Sequence, residues 1–290
     1  MQPITVDASS VVVITGGATG VGRSMALAFA ERGAQVVLAD IDQPAARATA
    51  EGMQRNGHRA EGIGVDVAQA ASVHALADRV FGTYGKVDVL CNNAGVTMRP
   101  FRASWNASAQ DFAWIMGVNY HGVVHGILSF VPRMRAQPGH KHMVNTASFT
   151  ALDVMPGHAA YAASKAAVIA LSDALRIELA DHGEDFGVTV LYAGAIPTRL
   201  VTSERLRPES ERSAARGVIA YQPSRPEPFH TAPRPLDEIG ELVVGAVLED
   251  KPAVLTHRYP HDEIEARLAQ LRAGAPAQPS PFPTRTQEEL

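Results

Sequence analysis

The sequence predicts a doubly wound α/β fold: a parallel sheet of about seven strands with helices on both faces. Three observations predict it. Short β-branched runs alternate with helical segments of ten residues or more, the pattern of strands joined by crossover helices. A glycine cluster stands directly between the first such run and the first helix. Several later runs end in Asp, Asn, Gly or Ser, which a parallel sheet gathers on one rim, where such folds bind ligands.

The first run, Val11-Val-Val-Ile14, reads as a buried strand. It leads into Thr15-Gly-Gly-Ala-Thr-Gly-Val-Gly22 and then a helix, Arg23 to Arg32, ended by Gly33. Glycines let a backbone approach a pyrophosphate, and the helix N-terminus offers unpaired N–H groups to it. The second strand, Gln35 to Ala39, ends in Asp40, about 20 residues after Gly20, where a carboxylate can accept hydrogen bonds from an adenosine ribose. That carboxylate would repel a 2′-phosphate, so NAD is expected over NADP, with no Arg or Lys beside Asp40 in the sequence. Asp42, before Gln43-Pro44, is the better cap for the next helix.

Helix 44–56, strand 59–65, helix 70–84 and strand Val87-Asp-Val-Leu-Cys91 continue the alternation. Asp66-Val67 closes the third strand and Asn92-Asn-Ala-Gly95 the fourth. In the long segment 107–135, Asn119 is expected to mark a kink or a water site, because Asn competes for nearby backbone groups. His121 and His125 have a possible metal-ligand spacing, but no third ligand is near in sequence, and His140 and His142 read as solvated loop residues. No metal site is expected. The fifth strand, 141–147, ends at Ser148, and Pro156-Gly157 separates it from an Ala-rich helix, 159–180. Tyr161 and Lys165 share one face of that helix. A cation there would lower the phenol's pKa and make Tyr161 a usable general acid/base. The sixth strand, Val188 to Tyr192, ends in Ala-Gly-Ala-Ile-Pro-Thr198.

Residues 199–235 form a long, proline-rich connection, the usual signature of a lid or a disordered loop. A helix at 236–250, the run Ala253 to Arg258 and a helix near 261–272 follow, so one domain is expected over 1–272, with 273–290 a disordered Pro/Ala-rich tail. Hydrophobic residues are 46% of the chain, enough for a sizeable core, and net charge is −4 with no basic block, which argues against nucleic acid and anionic membrane as partners. Cys91 is the single cysteine, excluding an internal disulfide and a thiolate zinc cluster. Met1 to Ser10 has no basic region ahead of an apolar run, and no apolar stretch approaches a membrane span; a cytoplasmic location is expected.

Thr15-Gly-x-x-x-Gly-x-Gly22, Asn92-Asn-Ala-Gly95, Asn119, Ser148 and Tyr161-x-x-x-Lys165, in this order, resemble the short-chain dehydrogenase/reductase family of the NAD type, over roughly residues 10–200. The resemblance implies a Rossmann-type sheet and a role for each matching position. Tyr161 would be the acid/base and Lys165 the cation holding the nicotinamide ribose. Ser148 would bind the substrate oxygen, and Asn119 would hold a relay water. Gly16, Thr19, Gly20, Val21 and Gly22 would take the pyrophosphate, Asp40 the adenine ribose, and Asp66 and Val67 the adenine. Asn93, Ala94 and Gly95 would form the central wall, with Gly194, Ile196 and Thr198 at the carboxamide. Ala193 stands where the family has a proline, which loosens that loop. The stretches 111–119 and 131–134 and the chain ending resemble the subgroup that includes bacterial dehydrogenases of lignin-derived aryl-propane alcohols. A homodimer or homotetramer acting on a secondary alcohol or ketone is therefore expected, with a bulky, apolar substrate suggested by Phe149, Leu152, Val154, Met155, Leu200, Val201 and Leu206. Two rivals stay open: an NADPH-dependent ketone reductase, and a non-catalytic dinucleotide sensor on the same fold. A hydrolase built on Ser148 has no histidine and acid placed to activate it.

Overall fold

The computed structural model describes residues 4–209, 220, 233–258 and 261–275. The chain divides into a unit spanning Met1–Arg258 and a second spanning Tyr259–Leu290. Much of the expected lid beyond residue 209, and most of the expected tail, lie outside the described residues.

In the first unit the elements run β1 (Val11–Thr15), α1 (Gly20–Glu31), β2 (Gln35–Asp40), α2 (Gln43–Arg55), β3 (Ala60–Gly64), α3 (Ala70–Tyr84) and β4 (Val89–Asn92). They continue with α4 (Ala109–Met116), α5 (Gly122–Arg135), β5 (Lys141–Ser148), α6 (Ala159–Asp181), β6 (Phe186–Ala193), α7 (Leu236–Leu248) and β7 (Ala253–Leu255). A single π-turn, Gly117–His121, joins α4 to α5, and Asn119 sits inside it, so the expected irregularity is an extra residue per turn rather than a break. The second unit contains α8 (His261–Ala273).

The seven described strands form one parallel sheet in the order β3-β2-β1-β4-β5-β6-β7. Alternate residues of β1 serve two cores. Val12 and Ile14 pack with Met25 and Phe29 of α1 and Val243, Val244 and Val247 of α7. Val11 and Val13 pack on the other face with Leu76 and Val80 of α3 and Phe130 and Met134 of α5. Each fully buried side chain of this size contributes about 1.5–3 kcal/mol, so neither face can be given up. Strand order reverses between β1 and β4, which opens a crevice at the strand C-termini between their loops. No helix among the described residues is long and apolar enough to cross a membrane.

Candidate active site

The crevice begins at the turn after β1. Gly16 and Gly20 have φ of +63° and +56°, a conformation that favours glycine. A Cβ on Gly16 would lie 2.8 Å from the Ala94 Cα, because the turn is pressed against the Asn93–Gly95 loop. Asn93 fixes that contact: its Nδ2 donates to Thr15 O at 3.1 Å, and its Oδ1 accepts from Thr146 Oγ1 at 3.2 Å. Thr15 Oγ1 in turn accepts from the amides of Asn93 and Ala94. Gly22 faces inward instead; a Cβ there would sit 2.1 Å from Gly16 O, so its place is in seating α1 against the turn.

Asp40 ends β2 beside this turn. Its Oδ2 accepts from the Ala18 amide at 3.1 Å and its Oδ1 from the Asp42 amide at 3.0 Å. Burial pushes its pKa up, and those two hydrogen bonds pull against it. The positive charge of Arg205 also reaches Asp40, which corrects the expectation of no cation nearby. Arg205 arrives from sequence-distant helical turns, Arg199–Leu206, and donates to the backbone of Arg199 and Thr202. Asp42 caps α2 as expected, accepting from the Ala45 amide at 3.1 Å. Asp66 closes its own loop through the Ala68 amide, and Val67 O takes a 2.8 Å hydrogen bond from His125 Nδ1. His125 is thus a brace for this loop.

Tyr161 and Lys165 are both buried on α6, and Lys165 Nζ lies 5.8 Å from the centre of the Tyr161 ring. The ammonium donates to Thr146 O at 2.7 Å. Burial pushes the Tyr161 phenol up to about 12, opposed by a hydrogen bond with Ser148, and pushes the Lys165 amine down to about 8. The lowering expected from Lys165 is not found in the protein without cofactor. Desolvation disfavours both charged forms and sets the direction of each shift. Ser148 donates to Ala193 O at 3.2 Å and accepts from the amide and hydroxyl of Thr150. Asn119 is fully buried; its Oδ1 accepts from the Val96 amide at 2.8 Å, and its Nδ2 donates to Val96 O and Ser164 Oγ, each at 3.0 Å. A Cβ on Gly95 would come within 3.4 Å of Asn119 Oδ1 and 3.5 Å of Lys165 Nζ, so these three positions meet.

One cleft of about 290 Å³ gathers most of the expected residues: Gly16, Thr19, Gly20, Val21, Asp40, Asp66, Val67, Asn93, Ala94, Gly95, Tyr161, Lys165, Gly194, Ile196 and Thr198 all line it. Gly22, Asn119 and Ser148 stand behind its surface. Its apolar wall agrees with expectation in part. Leu200 and Leu206 line it as expected, together with Val96, Trp114 and Val118, whereas Phe149 is buried, Val154 and Val201 are exposed, and Leu152 and Met155 do not line it.

Sequence reasoning missed three features. His158 stacks on the Tyr161 ring at 4.7 Å and 16°, with its Nε2 2.5 Å from Thr97 Oγ1. Burial, aided by the Arg99 charge, lowers its pKa to about 4, so this ring is neutral. Its spacing, three residues before Tyr161 at a helix start, was the available signal. Secondly, Asp111 on α4 is buried between Arg102, at 2.5 Å, and Arg207, at 2.6 Å. Arg207 follows the Arg199–Leu206 turns, so this cluster ties the described part of the expected lid to α4, and nothing local in the sequence announces it. Thirdly, His142 is fully buried in β5 and the His140 side chain nearly so, which corrects their reading as solvated loop residues: parallel pairing with β6 closes over them.

Comparison with known proteins agrees with this geometry. The family model for short chain dehydrogenase matches residues 10–209. A short-chain dehydrogenase/reductase from Burkholderia phymatum, solved in complex with NAD, superposes with a TM-score of 0.85 at 33% identity, covering 96% of this chain and 100% of that one. The oxidoreductase EphD of Mycobacterium tuberculosis is 32% identical over 84% of this chain, which spans only 40% of that relative's length. The C alpha-dehydrogenase of Sphingobium sp. strain SYK-6 is 34% identical over 68% of this chain and 64% of its own length. With the glycine turn, the Asn93–Gly95 wall and the Tyr161/Lys165 pair in one cleft, the chain belongs to the short-chain dehydrogenase family.

Proposed function

We propose that the protein is an NAD-dependent oxidoreductase that interconverts a bulky, largely apolar secondary alcohol and its ketone. The observation carrying this reading is that Tyr161 and Lys165 open into the same cleft as the glycine turn and Asp40. The cradle fits a dinucleotide. Its backbone is held bare by glycines where a side chain would collide, and the Asp40 carboxylate stands ready for two ribose hydroxyls. When bound, NAD supplies the hydride acceptor, or in reduced form the donor.

The chain's own residues supply the proton chemistry. In the oxidation direction Tyr161, as phenolate, takes the hydroxyl proton, and Ser148, turning its hydroxyl away from Ala193 O, donates a hydrogen bond to the same oxygen as it becomes a carbonyl. In reduction Tyr161 returns the proton. With the phenol pushed up to about 12, the phenolate needs positive charge beyond Lys165, which bound NAD⁺ would supply. The side-chain amide of Asn119 is taken up by Val96 and Ser164, so its contribution to a proton relay is a backbone position. Trp114, Leu200 and Leu206 supply apolar surface over the reacting end and exclude water. The subgroup resemblance carried by 111–119 and 131–134 favours an aryl alcohol within that class. We further read the protein as a cytoplasmic homodimer or homotetramer; the exposed Leu128 of α5 and Ile177 of α6 are surface such an interface would cover.

The test is a screen of aryl, alicyclic and short polyol alcohols with NAD⁺ and NADP⁺ in parallel, following reduced nicotinamide absorbance. Turnover of an apolar secondary alcohol with NAD⁺ supports the reading. Preference for a hydrophilic polyol, or for NADP⁺, contradicts it.

A further inference from the structure

At the end of the sheet away from the cleft, three side chains converge. His140 stands just before β5, His142 is in its second position, and Asp250 follows α7. Their ligand atoms all lie within 4.8 Å of one another, with His142 Nδ1 and Asp250 Oδ1 3.5 Å apart. The hydrogen bonds around them fix which nitrogen of each neutral ring carries the proton. His140 Nδ1 donates to the Asp185 carboxylate at 2.7 Å, so its buried Nε2 carries a lone pair with no partner. Thr189 Oγ1 donates to Lys251 O at 2.6 Å and therefore accepts from His142 Nε2 at 2.7 Å. That leaves the buried Nδ1 of His142 also as a lone pair without a partner. With both rings neutral, two unpartnered imidazole nitrogens and a carboxylate oxygen thus face one another. Such an arrangement is repulsive unless a cation sits among them.

We propose that His140, His142 and Asp250 bind one divalent transition-metal ion of the zinc type. Two imidazole nitrogens and one carboxylate oxygen are ligands that zinc takes at about 2.0–2.2 Å, which sets ligand atoms of a tetrahedral site about 3.3 Å apart. The His142 to Asp250 separation is already close to that. The imidazoles argue against magnesium or calcium, which take oxygen ligands. The Asp185–His140 hydrogen bond is the carboxylate–histidine support that orients a metal-binding imidazole. Gly187, in β6 opposite His142, makes the space: a Cβ there would lie 2.1 Å from Asp250 Oδ1 and 2.3 Å from His142 Nδ1. Asp250 is partly exposed, leaving room for a water as fourth ligand and a route in for the ion. The site lies six strand residues from Ser148, roughly 20 Å away, so its role is to pin the β5, β6 and α7 ends together, apart from the chemistry.

The experiment titrates the metal-stripped full chain with Co²⁺ and with Zn²⁺, reading the Co²⁺ visible spectrum, calorimetric stoichiometry and melting temperature. Wild type is expected to bind one equivalent, to show a tetrahedral Co²⁺ spectrum and to melt higher with metal. Asp250→Asn should fold normally, since Asn tolerates the φ of +49° at this position and its amide can donate to His142 Nδ1. It should lose affinity by more than about 100-fold, and Asp185→Asn by about 10–100-fold. Wild type that binds no stoichiometric metal at millimolar Co²⁺ overturns the proposal. So does binding that is unchanged in both Asp250→Asn and His140→Ala, which would place the ion elsewhere.

Discussion

Asp111→Asn is the substitution with the most directly calculable effect. The carboxylate is fully buried between two guanidiniums whose own side chains are 6% and 0% exposed. Burial alone would raise its pKa, but hydrogen bonds from Arg207, the Ser108 amide and Arg102 prevail and hold it at about 2, against 3.8. Asparagine keeps the shape and can still accept from the Ser108 amide, yet it removes the negative charge the two cations share. Breaking a buried ion pair in this way costs about 3–5 kcal/mol. At about 2–4 °C per kcal/mol for a unit of this size, melting should fall by about 6–20 °C. The wild type should also lose about 2 kcal/mol as pH drops from about 5 to about 2, because a depressed carboxyl pKa stabilises only while the group is ionised. The variant should lack that loss. Differential scanning calorimetry at pH 7, and denaturant titrations from pH 5 to 2, measure both. Limited proteolysis should find residues 199–209 more accessible in the variant, since Arg207 anchors them. A melting shift under about 2 °C, with unchanged acid sensitivity, would refute the reasoning.

Three further outcomes are expected. Asp40→Ala should narrow the preference for NADH over NADPH, measured by calorimetry of both; tighter NADPH binding by the wild type would contradict the assignment. Lys165→Met should abolish turnover yet raise stability at pH 7 by about 1–3 kcal/mol, because the folded chain buries an ammonium whose pKa is lowered to about 8. The wild type's disadvantage should shrink as pH rises from about 8 towards the unfolded lysine pKa, read by denaturant titration across that range. Gly22→Ala should destabilise by about 1–3 kcal/mol and weaken dinucleotide binding, since the added Cβ meets the Gly16 carbonyl, a backbone atom with no room to yield.

The elements legible in the sequence are those set by local pattern. The β-branched runs, the glycine turn with Gly16 and Gly20, the Asp42 cap and the Tyr161/Lys165 face each depend on residues a few positions apart, and each is found where it was expected. Features built across the chain were not legible. Arg205 reaches Asp40 over more than 160 residues of chain, and Arg207 reaches Asp111 over 96. His142 becomes buried only because the register of β5 on β6 sets Gly187 against it. The tyrosine pKa failed for the same reason: helical spacing gives the distance to Lys165, but the depth of burial, which governs the shift, is tertiary.

The claim at the centre of the account is that Tyr161 moves the proton. Tyr161→Phe keeps the ring stacked on His158 and removes only the hydroxyl, so NAD binding by calorimetry should survive within a few-fold. Turnover of the best alcohol from the screen should fall by about 10²–10⁴-fold, the usual size of a lost general acid/base. Wild-type oxidation should accelerate as pH rises, as the phenol ionises, and the residual rate of the variant should lose that dependence. A Tyr161→Phe enzyme with near-normal turnover and an unchanged pH profile would contradict the account.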